Sequence, residues 1–505
     1  MDHGVNHDPW ISPFMKQCFV SLGVSLNVAA HGLVMGFAAI LLPQLRRPDS
    51  VIPIDDTTGS WIAAILGFSL IAGNFLVPSI MARFGRRTAN LISIAPMIVG
   101  WFSIVLATNV TTLLVARFLQ GLAMGMSGFL GPVLIGEYTS PKNRGAFLTL
   151  VSLTICTAVL FVHTVGSFFT WQVTALVMTG IVFTDLLIII HSPESPSWLA
   201  YQGRYDECRK VFHWLRGYGE DDELEKLIAA SKIMRETKQY AHVQDSFVKS
   251  LRNNLAYFYV TLRKKEFYKP IFIMVHIYTL AKWSGANIIA AYTVDIFENV
   301  VGSDVNISLL IITLDVQKIL SSFLAVFIIR KIKRRTLLCV AGGLNLFAYM
   351  AIATYTYCKA HNLLPFDHPA IGILLIHIHV VSIATGTIPL PIIIAGELFP
   401  LQYRSLAGGI SMLFLSTNLF ITMKTLPFLF KNIGIYGAYV LYATVVGYCL
   451  LIAWLYLPET KDKTLLEIEN EFRGRPLSPE DLKSAQSLTS EHNNMNSRRT
   501  RSTVV

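Results

Sequence analysis

Twelve long apolar stretches alternate with polar breaks along this chain. The first six start near Gln17, Trp61, Ala89, Leu113, Ala146 and Thr174. A polar segment follows from about Ser195 to Tyr268, and six more apolar stretches start near Lys269, Ile307, Leu337, Ala370, Leu406 and Tyr436. Many exceed the ~20 residues that cross a hydrocarbon core of about 30 Å. The pattern predicts an all-α membrane protein with twelve transmembrane helices. Residues 17–194 carry the first six and 269–457 the second six. Residues 1–16 precede them, 195–268 form a loop between them, and 458–505 form a tail. Within the loop, apolar positions at helical spacing predict short amphipathic helices around Tyr205–Arg216 and Glu223–Thr237. The Ser/Asn/Arg-rich tail is expected to be disordered. The run after Met15 is too long for a signal-peptide core and continues as the first span.

Composition supports this division. Of 505 residues, 53% are hydrophobic and only 15% charged, against roughly 25% charged in soluble domains. The net charge of +10 does not indicate a nucleic-acid partner, because the basic residues collect in loops on one side. That side holds Arg83, Arg86, Arg87, Lys142, Arg144, the 330–335 cluster, Arg404 and the central loop. The other holds mainly Asp55, Asp56, Glu298 and Asp304, with Arg46, Arg47, Lys359 and Lys431 as exceptions. The positive-inside rule makes the basic side cytoplasmic, with both termini inside and the plasma membrane as the expected location. The six cysteines have neither metal nor disulfide spacing and read as packing residues. Asn109 and Asn306 begin outward-facing sequons close to the membrane. No nucleophile, metal or nucleotide motif stands out, so the chain does not read as an enzyme and no cofactor is expected.

One signature occurs twice. Glu137 and Arg144 recur 260 residues later as Glu397 and Arg404. Gly85-Arg86-Arg87-Thr88 answers to Lys333-Arg334-Arg335-Thr336, and Pro193-Glu194-Ser195-Pro196 to Pro458-Glu459-Thr460. Charged clusters at matching helix ends of two similar halves are the architecture of an alternating-access transporter. Such charges can pair across a closed inner gate and separate when it opens. The alternative is topogenic charge that only holds loops inside. The repeated glutamates favour the gate.

These motifs resemble the sugar porter family of the major facilitator superfamily over about residues 17–470. The resemblance rests on Gly85-Arg86-Arg87, Arg117-Phe118-Leu119-Gln120-Gly121, Glu137…Arg144-Gly145 and Pro193-Glu194-Ser195-Pro196. It continues through Ser284-Gly285-Ala286-Asn287, Pro389-Leu390-Pro391, Glu397…Arg404 and Pro458-Glu459-Thr460. His213-Trp214-Leu215-Arg216-Gly217 and Lys424-Thr425 look most like the facilitated trehalose transporter branch. The resemblance implies two pseudo-symmetric six-helix bundles rocking around a central sugar site in the lipid bilayer. The latch motif departs at Ala82, Arg330 and Lys333, which leaves each half one acceptor short and implies a looser gate.

Candidate binding residues come from depth. Lys282 lies twelve residues beyond Pro270 and Lys318 twelve before Arg330, each about 18 Å into the membrane. A mid-membrane charge costs about 2.5–3.5 kcal/mol on insertion scales and needs water or a partner. Asp315 precedes Lys318 by three residues on the same helix face. Either the lysines line a transport cavity and hold an anion or polyol, or Asp315–Lys318 is a packing pair.

The resemblance implies that Asn287 binds substrate and that Tyr292 is an outer gate. It places Ala281, Lys282, Lys318 and Ser152 where the family has amides, and Ile392 and Ser416 where it has tryptophans. Proton-linked relatives pair an acid in span one with the span-four arginine, here Arg117; this chain has Ala38, so facilitated diffusion is expected. His31, His163, His276, His377 and His379 read mainly as hydrogen-bonded core residues. The reading is facilitative uptake of trehalose or a hexose. An organic-anion transporter and a non-transporting receptor are the alternatives.

The topology reading is testable. A cysteine placed at Ser487 should react with impermeant reagent only after intact cells are permeabilised. Labelling without permeabilisation would put the tail outside.

Overall fold

The computed structural model describes residues 12–241, 263–302, 305–399, 404–461, 463 and 465–474. Among them there is helix and no strand. Spans one to six are Pro13–Leu45, Asp56–Phe84, Arg86–Val105, Val110–Tyr138, Pro141–Phe168 and Trp171–His191. Span seven is split into Lys265–Trp283 and Ala286–Val300. Spans eight and nine are Ile307–Lys331 and Arg334–Ala360. Span ten runs Pro369–Ser382, through a π-turn at Ile383–Thr387, to Pro389–Leu398. Spans eleven and twelve follow each other within Arg404–Tyr456, divided at Gly434, whose φ of 71° no helix adopts. Ten helices are long and apolar enough to cross a membrane, one of them holding spans eleven and twelve. The interrupted span seven supplies the twelfth.

The chain punctuates these helices with capping chemistry. Ser12 Oγ accepts from Met15 N, ahead of a proline at the first helical position. Asp55 caps span two through Thr58, whose bonds hold its carboxyl below the usual carboxylate range. Asn109 and Asn306, the two sequon asparagines, cap spans four and eight by accepting from Thr112 N at 2.8 Å and Leu309 N at 3.1 Å. Spans two and four pack closely through glycine. A Cβ at Gly73 would come within 2.3 Å of Leu122 O, and one at Gly125 within 2.3 Å of Leu70 O.

The two halves meet where spans one and two lie against seven and eleven, and where five lies against eight. Two of the four exceptional basic residues, Arg46 and Lys359, are neutralised at the end away from the termini. Arg46 pairs with Asp295 at 2.7 Å, and Lys359 with Asp367 at 3.1 Å. The Tyr355 hydroxyl holds the Asp367 carboxyl below its usual range.

The loop after span six forms the helices Pro196–Tyr201, Tyr205–Arg216 and Asp221–Ala241. They share a small core of Trp198, Leu199, Cys208, Phe212, Leu224 and Ile228. Gln17 anchors them to span one by donating to Leu215 O at 3.1 Å.

Span seven breaks because its sequence allows it and its neighbours repair it. Gly285 sits at φ 98°, in the left-handed region open to glycine. Freed carbonyls find donors: Tyr349 Oη reaches Trp283 O at 2.8 Å, while Asn345 Nδ2 and His379 Nε2 reach Ser284 O at 3.2 and 2.9 Å. A Cβ at Gly285 would stand 2.7 Å from Tyr349 Oη. We predict that Gly285→Ala costs about 1–3 kcal/mol and lowers the melting temperature in detergent. Gly343→Ala, which meets nothing within 4 Å, should not. Equal melting temperatures would refute the strain.

Candidate functional site

Two latches of the same design lie at the termini end. In the first half Glu194 accepts the backbone N–H groups of Arg86 at 2.8 Å and Arg87 at 3.1 Å, where span three begins. In the second half Glu459 does the same for Arg334 at 2.8 Å and Arg335 at 3.2 Å, where span nine begins. A carboxylate at a helix N-terminus meets unpaired donors and the positive end of the dipole. Gly85 permits this in the first half. Its φ is 97°, and a Cβ there would stand 2.3 Å from the Glu194 carboxylate.

Each latch adds an ion pair. Arg86 reaches Glu137 at 3.0 Å and Arg334 reaches Glu397 at 3.3 Å. Ser195 donates to Glu137, and Thr460 to Glu397 at 2.6 Å. Arg87 donates to the main-chain carbonyl of Ile190 at the end of span six, and Arg335 to that of Trp454 at the end of span twelve. Arg144 is half-buried at the start of span five, with Nε unpaired. The side chain of Arg404 lies outside the described residues. These charges pair inside their own halves. Among the described residues, no ion pair joins the halves at this end.

The opposite end does join them. Arg46 of span one holds Asp295 of span seven. Lys424 of span eleven donates to Ser60 Oγ of span two at 2.7 Å and lies 4.2 Å from the centre of the Trp61 ring. Tyr292, the expected outer gate, is buried at an irregular turn in the outer part of span seven. Its hydroxyl donates to Met423 O of span eleven at 3.1 Å.

The predicted binding residues divide. Lys282 and Asn287 come together across the break in span seven, with Nζ donating to Oδ1 at 3.1 Å. Ser416 is buried and accepts from Asn74 Nδ2 of span two at 3.4 Å. Ser152 and Ile392 are exposed, Ile392 to 64%, and take no part in this cluster.

The expected pairing of Asp315 with Lys318 is corrected. Asp315 Oδ2 bonds His163 Nδ1 of span five at 2.6 Å, and Lys318 is half-buried with no bonded partner among the described residues. Three-residue spacing put the two on one helix face, but burial turned Asp315 toward span five.

Sequence reasoning missed part of the site. Trp283 Nε1 donates to Asn418 Oδ1 at 2.8 Å, and Asn418 Nδ2 donates to Thr279 Oγ1 at 3.2 Å. An amide of span eleven and an aromatic of span seven are therefore joined next to the span-seven break, at the residue that follows Lys282 in the chain, from positions other than those aligned with the family's tryptophans. A polar residue at mid-span was the available signal; its partner across helices was not. Arg117 is fully buried and bound to Val34 O at 2.9 Å, Ile62 O at 3.3 Å and Gln120 Oε1 at 3.1 Å, with no carboxylate partner.

Comparisons agree with this architecture. The inward-open xylose transporter XylE of E. coli superposes with a TM-score of 0.71 at 17% identity, covering 90% of this chain and 99% of that one. XylE bound to 6-bromo-6-deoxy-D-glucose gives 0.69 at 18%, covering 91% and 100%. The facilitated trehalose transporter Tret1 of Apis mellifera ligustica is 28% identical over 91% of this chain and 89% of its own length. The Tret1-2 homolog of Drosophila sechellia is 28% identical over 91% and 92%. Against Tret1 of Anopheles gambiae the chain spans about half of the relative's length, 56%. The model of the "Sugar (and other) transporter" family matches residues 15–472. The chain is thus an integral membrane transporter, not an enzyme, and it belongs to the sugar transporter family.

Proposed function

We propose that this protein moves a neutral sugar, trehalose or a hexose, down its gradient by alternating access in the plasma membrane, with both termini cytoplasmic. The observation that carries the reading is the cluster at the break of span seven. Asn287, Asn418 and Trp283 supply directed amide bonds and an aromatic face, the combination that recognises sugars. The named trehalose transporters among its relatives support a sugar over an organic anion.

Facilitated diffusion fits the environment of Arg117. Main-chain carbonyls and Gln120 take its Nε and Nη1 donors, Nη2 has no hydrogen-bond partner among the described residues, and Ala38 stands where proton-linked relatives carry an acid. The closed end is the one away from the termini, where Arg46–Asp295 and Lys424–Ser60 bridge the halves. The two latches bind helix ends within each half, so each bundle moves as a body. Glu137, Arg144, Glu194, Glu397, Arg404 and Glu459 act as gating residues by biasing the balance between states.

Two outcomes follow. Glu137→Gln and Glu397→Gln keep the hydrogen-bonding shape and remove one charge near water, where an ion pair contributes up to about 1 kcal/mol. A shift of that size changes a state ratio about fivefold. Flux should fall several-fold at unchanged surface level. Wild-type flux in both variants would reduce the clusters to topogenic charge. Lys282→Gln restores an amide and keeps a donor to Asn287. It should lower the KM for a neutral disaccharide by up to about tenfold, the equivalent of one hydrogen bond. In proteoliposomes, an unchanged KM in an active variant would remove Lys282 from the site.

A further inference from the structure

The His163–Asp315 contact joins the two halves through residues that the sugar site does not use. His163 belongs to span five of the first half and Asp315 to span eight of the second. Nδ1 and Oδ2 are 2.6 Å apart, with side chains only 1% and 7% exposed. The other ring nitrogen, Nε2, stands 3.2 Å from Ala290 O of span seven. The ring fills a slot left by Gly36 of span one, where a Cβ would meet Nε2 at 3.1 Å. Four spans from both halves thus converge on one imidazole.

Hydrogen-bond chemistry fixes the proton count. A carbonyl oxygen only accepts, so Nε2 carries a proton. Nδ1 and Oδ2 can lie 2.6 Å apart only with a second proton between them. Without it, two bare acceptors would face each other in a dry site. That proton sits on Nδ1 as an imidazolium–carboxylate pair, or on Oδ2 as a carboxylic acid facing a neutral ring. Both arrangements are neutral overall, which suits burial.

Apart from Lys318, the charged and titratable groups that the surrounding elements place inside the bundle are engaged elsewhere. On span one, His31 bonds Ser127 Oγ and Arg46 holds Asp295. On span seven, Lys282 bonds Asn287 and Tyr292 donates to Met423 O. On span four, Arg117 is taken up by carbonyls and Gln120. On span ten, His377 and His379 engage Ile373 O and Ser284 O. Lys318, one turn further along span eight, bonds neither member of the pair.

We propose that His163 and Asp315 form a proton-binding latch between the two halves, closed while they share one proton and released when that proton leaves. The proposal rests on the rocking of the halves, not on which sugar is carried. When the end away from the termini opens, the Nδ1–H···Oδ2 bond breaks. The proton passes to water, leaving a neutral imidazole and a carboxylate. The pair lies toward that same end, five residues from the end of span five and eight from the start of span eight. The proton therefore enters and leaves on one side. It makes the transporter sensitive to pH without coupling sugar to a proton gradient.

The direction follows from linkage. Hydrated imidazoles and carboxylates titrate near about 6.5 and 3.9. Above pH ~6.5 the separated pair holds one proton fewer than the closed pair, so closure takes up a proton and weakens as pH rises. Between those two values closure is independent of pH. The closed-to-open ratio should fall about 25-fold from pH 6 to pH 8.

The test uses spin labels at Phe168 and Leu309, which are 74% and 57% exposed near the ends of spans five and eight, with the six native cysteines replaced. In full-length protein in lipid, the ratio of the short- to the long-distance population should decline across pH 6–8 by about that factor. Asp315→Asn keeps a donor to Nδ1 but leaves the released imidazole to take up a proton below about pH 6.5, so closure should instead strengthen about fourfold from pH 6 to pH 8. His163→Asn should hold a pH-independent distance distribution. A pH-independent distribution in the parent, or a retained decline of closure with rising pH in either variant, would overturn the latch. Sugar flux at equal pH on both sides supplies the second arm. No flux with the distance shift intact would overturn the sugar reading and support the latch. Sugar accumulation driven by a pH gradient would overturn its one-sided proton exchange.

Discussion

Backbone hydrogen bonding within the membrane is the constraint on which this structure depends. A helix in lipid satisfies its own N–H and C=O groups, so it can break only where protein supplies the missing partners. Span seven breaks at Ser284–Gly285, and Tyr349, Asn345 and His379 take up the freed carbonyls. All three come from spans nine and ten of the same half. The break is therefore inside the bundle, and it brings Lys282, Trp283 and Asn287 together at one depth. The proposed binding cluster and the repaired break are one piece of construction.

The same economy operates at the helix ends. Four donors stand unpaired at each helix N-terminus, and Glu194 and Glu459 satisfy two apiece with a charge the dipole favours. Because the acid grips main-chain groups, the latch tolerates change in the loop it holds. Gly85 becomes Lys333 in the second half, where the backbone takes an extended course with φ −61°. Both halves still reach the same geometry. The acceptors missing at Ala82 and Arg330 do not prevent either latch from forming.

Much of the fold was legible because its signals are local. Apolar runs long enough for lipid located the spans, and each predicted start falls within a few residues of an observed one. The helix Tyr205–Arg216 was read at its observed limits from apolar spacing alone. Chain order and the repeated glutamates were likewise written in the residues, whereas the break in span seven was not read from them. The site was legible only in part. Lys282 and Asn287 are five residues apart, and their meeting followed from sequence proximity.

Partners distant in sequence were not legible. Three-residue spacing offers Lys318 as one possible partner of Asp315, whereas its partner in the structure, His163, is 152 residues away in the other half. Trp283–Asn418 and Lys424–Ser60 were missed for the same reason. Hydropathy and spacing describe one helix and its faces, so the sequence by itself determined how many helices form, where they end and which ends carry charge. Which buried polar groups meet depends on the rotation and depth of each helix against its neighbours. That is set by close packing, such as the approach of spans two and four at Gly73 and Gly125, where an added Cβ would stand 2.3 Å from a main-chain oxygen, and only the tertiary structure decided it.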